Sequence, residues 1–293
     1  MIVLDGKKYA EQLALQIQQE VKGMKRPPSL KVIIASDDYA SGIYVNNKKK
    51  KAEQLGFQSE IIKMDPTTVT TESMLDTIHT LNTDPSTDGI LVQLPLPQGI
   101  DVFQVTQAVA KDKDVDCFNC ENTGFLYLGK PKFLPCTPSA CLFLIKQVIT
   151  NLSHTSAVVI GRSDIVGKPL SSMLLQENST VTTVHSKTDD VRCFTKTADI
   201  VVSAVGKPNF IDHTYLKSDA ILIDVGINRL NSKLVGDMNF HDIINNSTPK
   251  AITPVPGGVG PLTIIFLMLN TLQASYLHNG NTPSNSLLNT LFT

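Results

Sequence analysis

Neither sign of charge is in excess in this chain: 26 Lys and Arg stand against 27 Asp and Glu, a net charge of −1. No global field attracts nucleic acid or an anionic membrane. Charged residues are also scarce, at 18% of the 293 residues, so Asn, Ser and Thr must supply much of the polar surface. Hydrophobic residues at 42% leave ample material for a core, which excludes disorder for most of the chain. A secretory apolar region is missing, because Met1–Lys8 meets Asp5 and Lys7 at once. The apolar run at residues 262–269 falls well short of the roughly 20 residues of a membrane span. Cysteines number five, an odd count that reads as reduced thiols and a cytoplasmic setting. Cys117 and Cys120 form a C-x-x-C with no second pair to complete a zinc site, so no metal is expected. Internal repeats are missing too.

What is present is an alternation of strand and helix patterns. Residues 7–23 carry Tyr9, Leu13, Ile17 and Val21 at helical spacing. Residues 30–35, 58–63 and 89–94 read as strands, with helices over 41–55 and 72–82 between them. Residues 101–138 read as a boundary or active-site loop. A helix over 139–150 then opens a second series, with strands at 157–160, 180–185, 199–205 and 220–225. The prediction is an α/β protein of two lobes, each a parallel sheet covered by helices. The polar tail from His278 is expected to be loosely docked.

Three stretches carry chemistry. In Ala157–Pro169 a buried strand runs into Gly161, and Gly167 precedes a helix start. Such a turn offers free N–H groups and a positive dipole end to phosphate, although an ordinary βα turn has the same look. About 20 residues on, where an NAD site keeps an acid, the chain has His185-Ser186-Lys187 instead. With Arg162 this favours a 2′-phosphate, hence NADP over NAD.

In Ser41–Gly56, Tyr44 and Lys48 stand at i,i+4 and share a helix face. A ring beside an amine can hold a flat heterocycle while the amine moves protons. Lys49, Lys50 and Lys51 crowd Lys48 with like charge, which favours a neutral amine if Lys48 is desolvated. The plainer alternative is a solvated lysine run. At 100° per residue the four lysines point around the whole helix, so one or two at most can face a cleft. In Asp88–Ile100, Gln93 is a polar residue in an apolar strand ended by Pro95 and Pro97. That places it near the carboxyl end of the strand, where open α/β sheets bind ligands; a buried glutamine satisfied by backbone is the alternative. Asp116, among the charges of residues 111–116, reads equally as a surface acid or a ligand group.

Taken together the chain resembles the bifunctional methylenetetrahydrofolate dehydrogenase/cyclohydrolase family, from Asp5-Gly6-Lys7 to about Tyr276. The resemblance rests on six segments in the family's order: residues 44–50, 88–97, 135–138, 161–169, 224–229 and 253–261. It implies a catalytic folate-binding lobe of residues 1–138 with about 262–293, and a Rossmann-like NADP lobe of residues 139–261. The C-terminal helix would return to the first lobe and the folate would sit between the two. It implies a homodimer built through the NADP lobes, with tetrahydrofolate derivatives as substrates in one-carbon metabolism and purine biosynthesis. Tyr44 would stack on the folate, Lys48 would be the catalytic amine, Gln93 its partner, and Asp116 would hold the pterin. Pro256 and Gly257 would line the folate side. Gly161, Arg162, Ser163, Ser186 and Ile227 would contact NADP, with Val205 and Gly206 near the nicotinamide.

The departures are specific. Where the family has a glycine and a histidine this chain has Cys117 and Asn119, and Ala140 replaces another glycine. If the glycine served a positive φ, Cys117 costs on the order of 1 kcal/mol there. Two rival readings remain: a dehydrogenase alone, or a silent folate- or nucleotide-binding protein. An attached formate ligase module of roughly 500 residues is not expected at this length.

Overall fold

Strand runs and helix-spaced stretches alternate in the computed structural model much as in the sequence. The structure describes residues 1–36, 38–231 and 233–280. They divide into two compact units: Met1–Glu11 with Pro135–Phe266, and Gln12–Leu134 with residues 267–280. Most of the expected tail, residues 281–293, lies outside the described residues.

Strand β1 (Ile2–Val3) and helix α1 (Gly6–Lys22) open the chain. In the second unit β2 (Ser29–Ile34), β3 (Gln58–Lys63) and β4 (Gly89–Val92) form a parallel sheet in the order β3-β2-β4. All four residues of β4 are buried, as a strand covered on both faces requires. Helix α2 (Tyr39–Gln54) joins β2 to β3, and α3 (Thr71–Thr83) joins β3 to β4. Asp38 caps α2 by accepting the Ser41 N–H at 2.9 Å, and Gly56 takes a φ of +87° just past its end. On α3, Met74, Ile78 and Leu81 recur at helical spacing and pack on Ile33, Ile90 and Val92. Burying each contributes roughly 1.5–3 kcal/mol.

The stretch read as a loop contains two short helices, α4 (Val102–Ala108) and α5 (Cys120–Tyr127). Their seven and eight residues are too few for a clear helical period, yet each is capped by a side chain, Asp101 and Asn119. Helix α6 (Cys136–Lys146) begins three residues before the expected start.

In the first unit β5 (Ser156–Ile160), helix α7 (Gly167–Gln176), β6 (Thr180–Val184), α8 (Arg192–Thr195), β7 (Ile200–Ser203) and β8 (Ile221–Asp224) follow in turn. A hairpin of β9 (Asn228–Leu230) and β10 (Lys233–Val235), helix α9 (Phe240–Asn246) and β11 (Ala251–Ile252) complete it. The six-stranded sheet has the order β1-β11-β8-β7-β5-β6 and is parallel throughout. Compactness therefore groups residues 1–11 with this sheet through the β1–β11 pairing, whereas the sequence boundaries put them in the other lobe. A two-residue strand carries no readable pattern.

Helix α10 (Val259–His278) closes the described chain. It corrects the expectation of an apolar run too short for a membrane. Among the described residues it is long and apolar enough to cross one, and 67% of that window is buried inside the protein. Its later residues bind the three-stranded unit: Asn270 donates to the carbonyls of Val115 and Leu134 at 2.8 and 2.7 Å, and Tyr276 donates to Glu20 at 2.9 Å.

Candidate active site and cofactor surface

On α2, Tyr44 and Lys48 lie one turn apart, and Lys48 Nζ donates to Gln93 Oε1 at 2.9 Å. Gln93 follows directly after β4, and its N–H is pinned to the Ile33 carbonyl of β2 at 2.9 Å. The Gln93 amide nitrogen donates to the Leu94 carbonyl at 2.6 Å, which turns the amide oxygen toward the lysine. The Gln93 amide therefore has both a backbone partner, Leu94, and a side-chain partner, Lys48. Lys48 is half-buried, while Lys49 pairs with Glu53 at 3.7 Å along the helix and Lys50 is exposed. Tyr44 is 36% exposed, and partial desolvation raises its phenol above the ordinary pKa.

Asp116 is half-buried and lies on a segment that runs parallel to β4 from the bridge Ile90–Asp114. Past that bridge Gln93 and Asp116 both emerge at the same end of the sheet. The neighbouring departures have structural roles. Cys117 has φ +64°, the conformation that favours glycine, and its buried thiol donates to the Phe133 carbonyl at 3.5 Å. Burial raises this thiol well above its usual range, with the Asp114 and Asp116 charges adding, so it is no nucleophile. Asn119 caps α5 and donates to the carbonyls of Gln107 and Val109 at 3.3 and 3.1 Å. Beside α2 a cavity of about 690 Å³ is lined by Ile34, Gly42, Asn46 and Met64, and neither Tyr44 nor Lys48 lines it.

In the other unit the glycine turn follows β5. Gly161 has φ +124°, and a Cβ there would lie 2.4 Å from the Ala204 carbonyl oxygen. At Gly167 a Cβ would lie 2.2 Å from the Gly161 carbonyl oxygen, so the start of α7 packs directly on the strand end. Ser163 accepts the N–H groups of Val166 and Gly167 at 3.2 and 3.3 Å and shapes the turn itself. Ile160 pairs with Val184, so Arg162 and Ser186, both exposed, stand two residues past the paired ends of neighbouring strands. That register sets a guanidinium and a hydroxyl level past neighbouring strand ends.

Val205 and Gly206 follow β7, with Gly206 at φ +66°, and Ile227 follows β8 with 47% of its surface exposed. Gly257 has φ +109° and accepts the Lys7 N–H at 3.1 Å, with Pro256 beside it. A Cβ on Gly6 would lie 1.7 Å from the Gly258 carbonyl oxygen, which explains why glycines occur in both segments.

Two buried carboxylates escaped the sequence reading. Asp224 accepts the N–H groups of Gly226, Asp237 and Met238 at 3.0, 3.0 and 2.8 Å. Burial nevertheless pushes its carboxyl up to about 7, helped by the Asp237 charge and opposed by those donors. Asp237 is fully buried and accepts from the backbone that follows β7. Nothing in residue spacing signals either role, since their partners are backbone N–H groups. Among the described residues one trio, Asp212, His213 and Asp242, brings possible metal-ligand atoms within 4.8 Å. Asp242 there accepts the His213 N–H and contacts its ring at 2.8 Å, which accounts for the cluster internally.

Comparison with known proteins decides the family. The catalytic-domain model of tetrahydrofolate dehydrogenase/cyclohydrolase matches residues 4–116, and the NAD(P)-binding-domain model of the same family matches residues 135–279. The chain belongs to the tetrahydrofolate dehydrogenase/cyclohydrolase family. It is 50% identical over 290 residues to the bifunctional protein FolD of Wolbachia sp. subsp. Drosophila simulans (strain wRi), covering 97% of this chain and 98% of that one. The FolD of Ehrlichia ruminantium (strain Welgevonden) is 46% identical, covering 95% of each. Among solved structures, the bifunctional FolD dehydrogenase/cyclohydrolase of Campylobacter jejuni aligns with TM-score 0.91 at 39% identity, over 94% of this chain and 99% of that one. A Trypanosoma brucei FolD complexed with NADP cofactor and inhibitor aligns with TM-score 0.88 at 34% identity, over 94% and 97%.

This family member is thus an enzyme of two activities, a methylenetetrahydrofolate dehydrogenase and a methenyltetrahydrofolate cyclohydrolase. Lys48, Gln93 and Tyr44 fall within the catalytic-domain match, and the glycine turn within the NAD(P)-binding match.

Proposed function

We propose that this enzyme oxidises 5,10-methylenetetrahydrofolate with NADP and hydrolyses the methenyl product to 10-formyltetrahydrofolate at a site built on Lys48 and Gln93. The observation that carries this reading is the 2.9 Å contact between Lys48 Nζ and the Gln93 amide oxygen. An amide oxygen orients the amine without a negative charge beside it, whereas a carboxylate there would favour the charged form. Tyr44, one turn away and neutral, supplies a ring for the folate to stack on. Asp116 holds the pterin, and Pro256 with Gly257 lines the folate side.

NADP supplies the hydride acceptor, and the chain's own groups fit it. Gly161 leaves the turn open to a close approach, Ser163 shapes it, and Arg162 with Ser186 receives the 2′-phosphate. Val205, Gly206 and Ile227 flank the nicotinamide. Loss of a hydride from the bridging carbon leaves a cation shared by N5 and N10 of the folate, so this step needs alignment more than proton transfer. Hydrolysis is different. Lys48 takes a proton from the attacking water as its oxygen bonds to the bridging carbon. The proton returns to N5 as the bond from N5 to that carbon breaks, and the remaining hydroxyl proton leaves to solvent as the formyl C=O forms.

The proposal extends to a homodimer built through the six-stranded unit, sedimenting at about twice 31.9 kDa. It also extends to a cytoplasmic location, in keeping with five free cysteines, and to supply of one-carbon units for purine biosynthesis. A time course with methylenetetrahydrofolate and NADP⁺, then NAD⁺, following reduced cofactor and methenyl intermediate, tests the reading. Reduction faster with NADP⁺ and little methenyl build-up is expected. Lasting methenyl would leave a dehydrogenase alone, and no reduction would leave a silent binder.

A further inference from the structure

Asp237 is fully buried, yet its carboxylate is surrounded by donors from two segments, residues 203–207 some thirty residues away and Asn228 nine residues away. One oxygen accepts the Val205 and Gly206 N–H groups at 2.7 and 3.2 Å and the Ser203 hydroxyl at 3.2 Å. The other accepts the Lys207 N–H at 2.9 Å and the Asn228 amide at 3.0 Å. Three consecutive N–H groups converging on one anion make a nest of the kind that elsewhere binds phosphate. Here the protein's own carboxylate fills it, so these N–H groups are spent on holding the turn. The approach is close: a Cβ on Gly226 would lie 2.2 Å from Asp237 Oδ1.

The two segments tied together are the ones that follow β7 and β8, which are adjacent strands with Ser203 paired to Asp224. They carry Val205, Gly206 and Ile227. Hydride transfer depends on sub-ångström alignment of donor and acceptor, and beyond the last backbone bond between the strands, Val225 N–H to the Ser203 carbonyl at 2.9 Å, Asp237 bonds both segments.

We propose that Asp237 is a positioning residue of the dehydrogenase step, fixing the 205–207 turn and the 226–228 segment as one frame for the nicotinamide. The proposal rests on the placement of the nicotinamide against Val205, Gly206 and Ile227. Asp237 lies in the six-stranded unit and the Lys48–Gln93 pair in the three-stranded one, so its bonds bear on the dehydrogenase step and not on hydrolysis. Asp237→Asn keeps the shape but turns an NH₂ toward N–H groups that need an acceptor.

The test measures four quantities on full-length variants: dehydrogenase kcat, KM for NADP⁺, hydrolysis of methenyltetrahydrofolate without NADP⁺, and Tm. Asp237→Asn should slow the dehydrogenase on the order of 10²-fold while hydrolysis stays within about twofold. Asn228→Ala, which removes one tether only, should slow it about tenfold and carries the test if Asp237→Asn does not fold. A purely structural role would lower both activities together with Tm, and that result, or an unchanged dehydrogenase, overturns the proposal. Ile227→Lys separates the two levels of inference. If it leaves KM for NADP⁺ unchanged, the nicotinamide placement fails and the proposal with it. If it raises KM while Asp237→Asn and Asn228→Ala change nothing, the positioning role alone fails.

Discussion

The two units of this enzyme meet their chemical tasks with different parts of the chain. In the three-stranded unit the contact proposed to do the chemistry joins two side chains, Lys48 on α2 and Gln93 at the end of β4. In the six-stranded unit the working surface is mostly backbone, shaped by Gly161, Gly167 and Gly206 and held from beneath by Asp224 and Asp237. The difference follows from the reactions. Moving a proton needs a titratable group at one point, whereas binding a long phosphorylated cofactor needs close approach along a surface. A side-chain site should therefore fail by losing its chemistry while the fold survives. A backbone site should fail by losing its shape.

The strongest way to break this contrast is Gly161→Ala. A methyl 2.4 Å from the Ala204 carbonyl oxygen, on a residue at φ +124°, combines overpacking with backbone strain. A loss of about 3 kcal/mol or more is expected, read by urea unfolding, with the dehydrogenase falling much further than hydrolysis. An unchanged midpoint would mean that the turn has room that its geometry denies.

Next in size is the pH dependence set by Asp224. Burial raises its folded pKa to about 7, above the unfolded value, so the folded state holds this proton more tightly. Its contribution to stability is fully present below the ordinary carboxylate pKa and is lost as pH rises through about 7. Between about pH 5 and pH 8 wild type should lose on the order of 3 kcal/mol that Asp224→Asn does not lose, compared by denaturant midpoints. Parallel slopes for the two proteins would contradict the assignment.

Gln93→Leu sharpens the other side of the comparison. Removing the acceptor that orients Lys48 should slow hydrolysis by about ten- to a hundredfold in a steady-state assay. KM for NADP⁺ should not move. Smaller still is Asn119→Ala, which removes the α5 cap and two further hydrogen bonds. It should cost about 1–2 kcal/mol by thermal unfolding, because a structural substitute for the family's histidine acts on stability.

The same contrast explains what could be read from residues alone. The placement of Tyr44 and Lys48 one turn apart on a helix, and of Gln93 at a strand end, was legible from helical spacing and the apolar run. The glycine turn was legible through its glycines, and the register of β5 and β6 sets Arg162 and Ser186 level. The positive φ suspected at Cys117 is present at +64°. Asp224 and Asp237 were not legible, because a carboxylate that collects backbone N–H groups from distant loops leaves no pattern in sequence. Helices α4 and α5 were missed for their shortness, although Asp101 and Asn119 marked where each begins.

The central claim is that proton transfer resides in the Lys48–Gln93 pair and cofactor binding does not depend on it. Lys48→Met tests it most directly, with methenyltetrahydrofolate hydrolysis and NADP⁺ affinity measured on one preparation. Hydrolysis should fall about 10²- to 10⁴-fold while NADP⁺ affinity stays within about twofold. Equal loss of both would contradict the account.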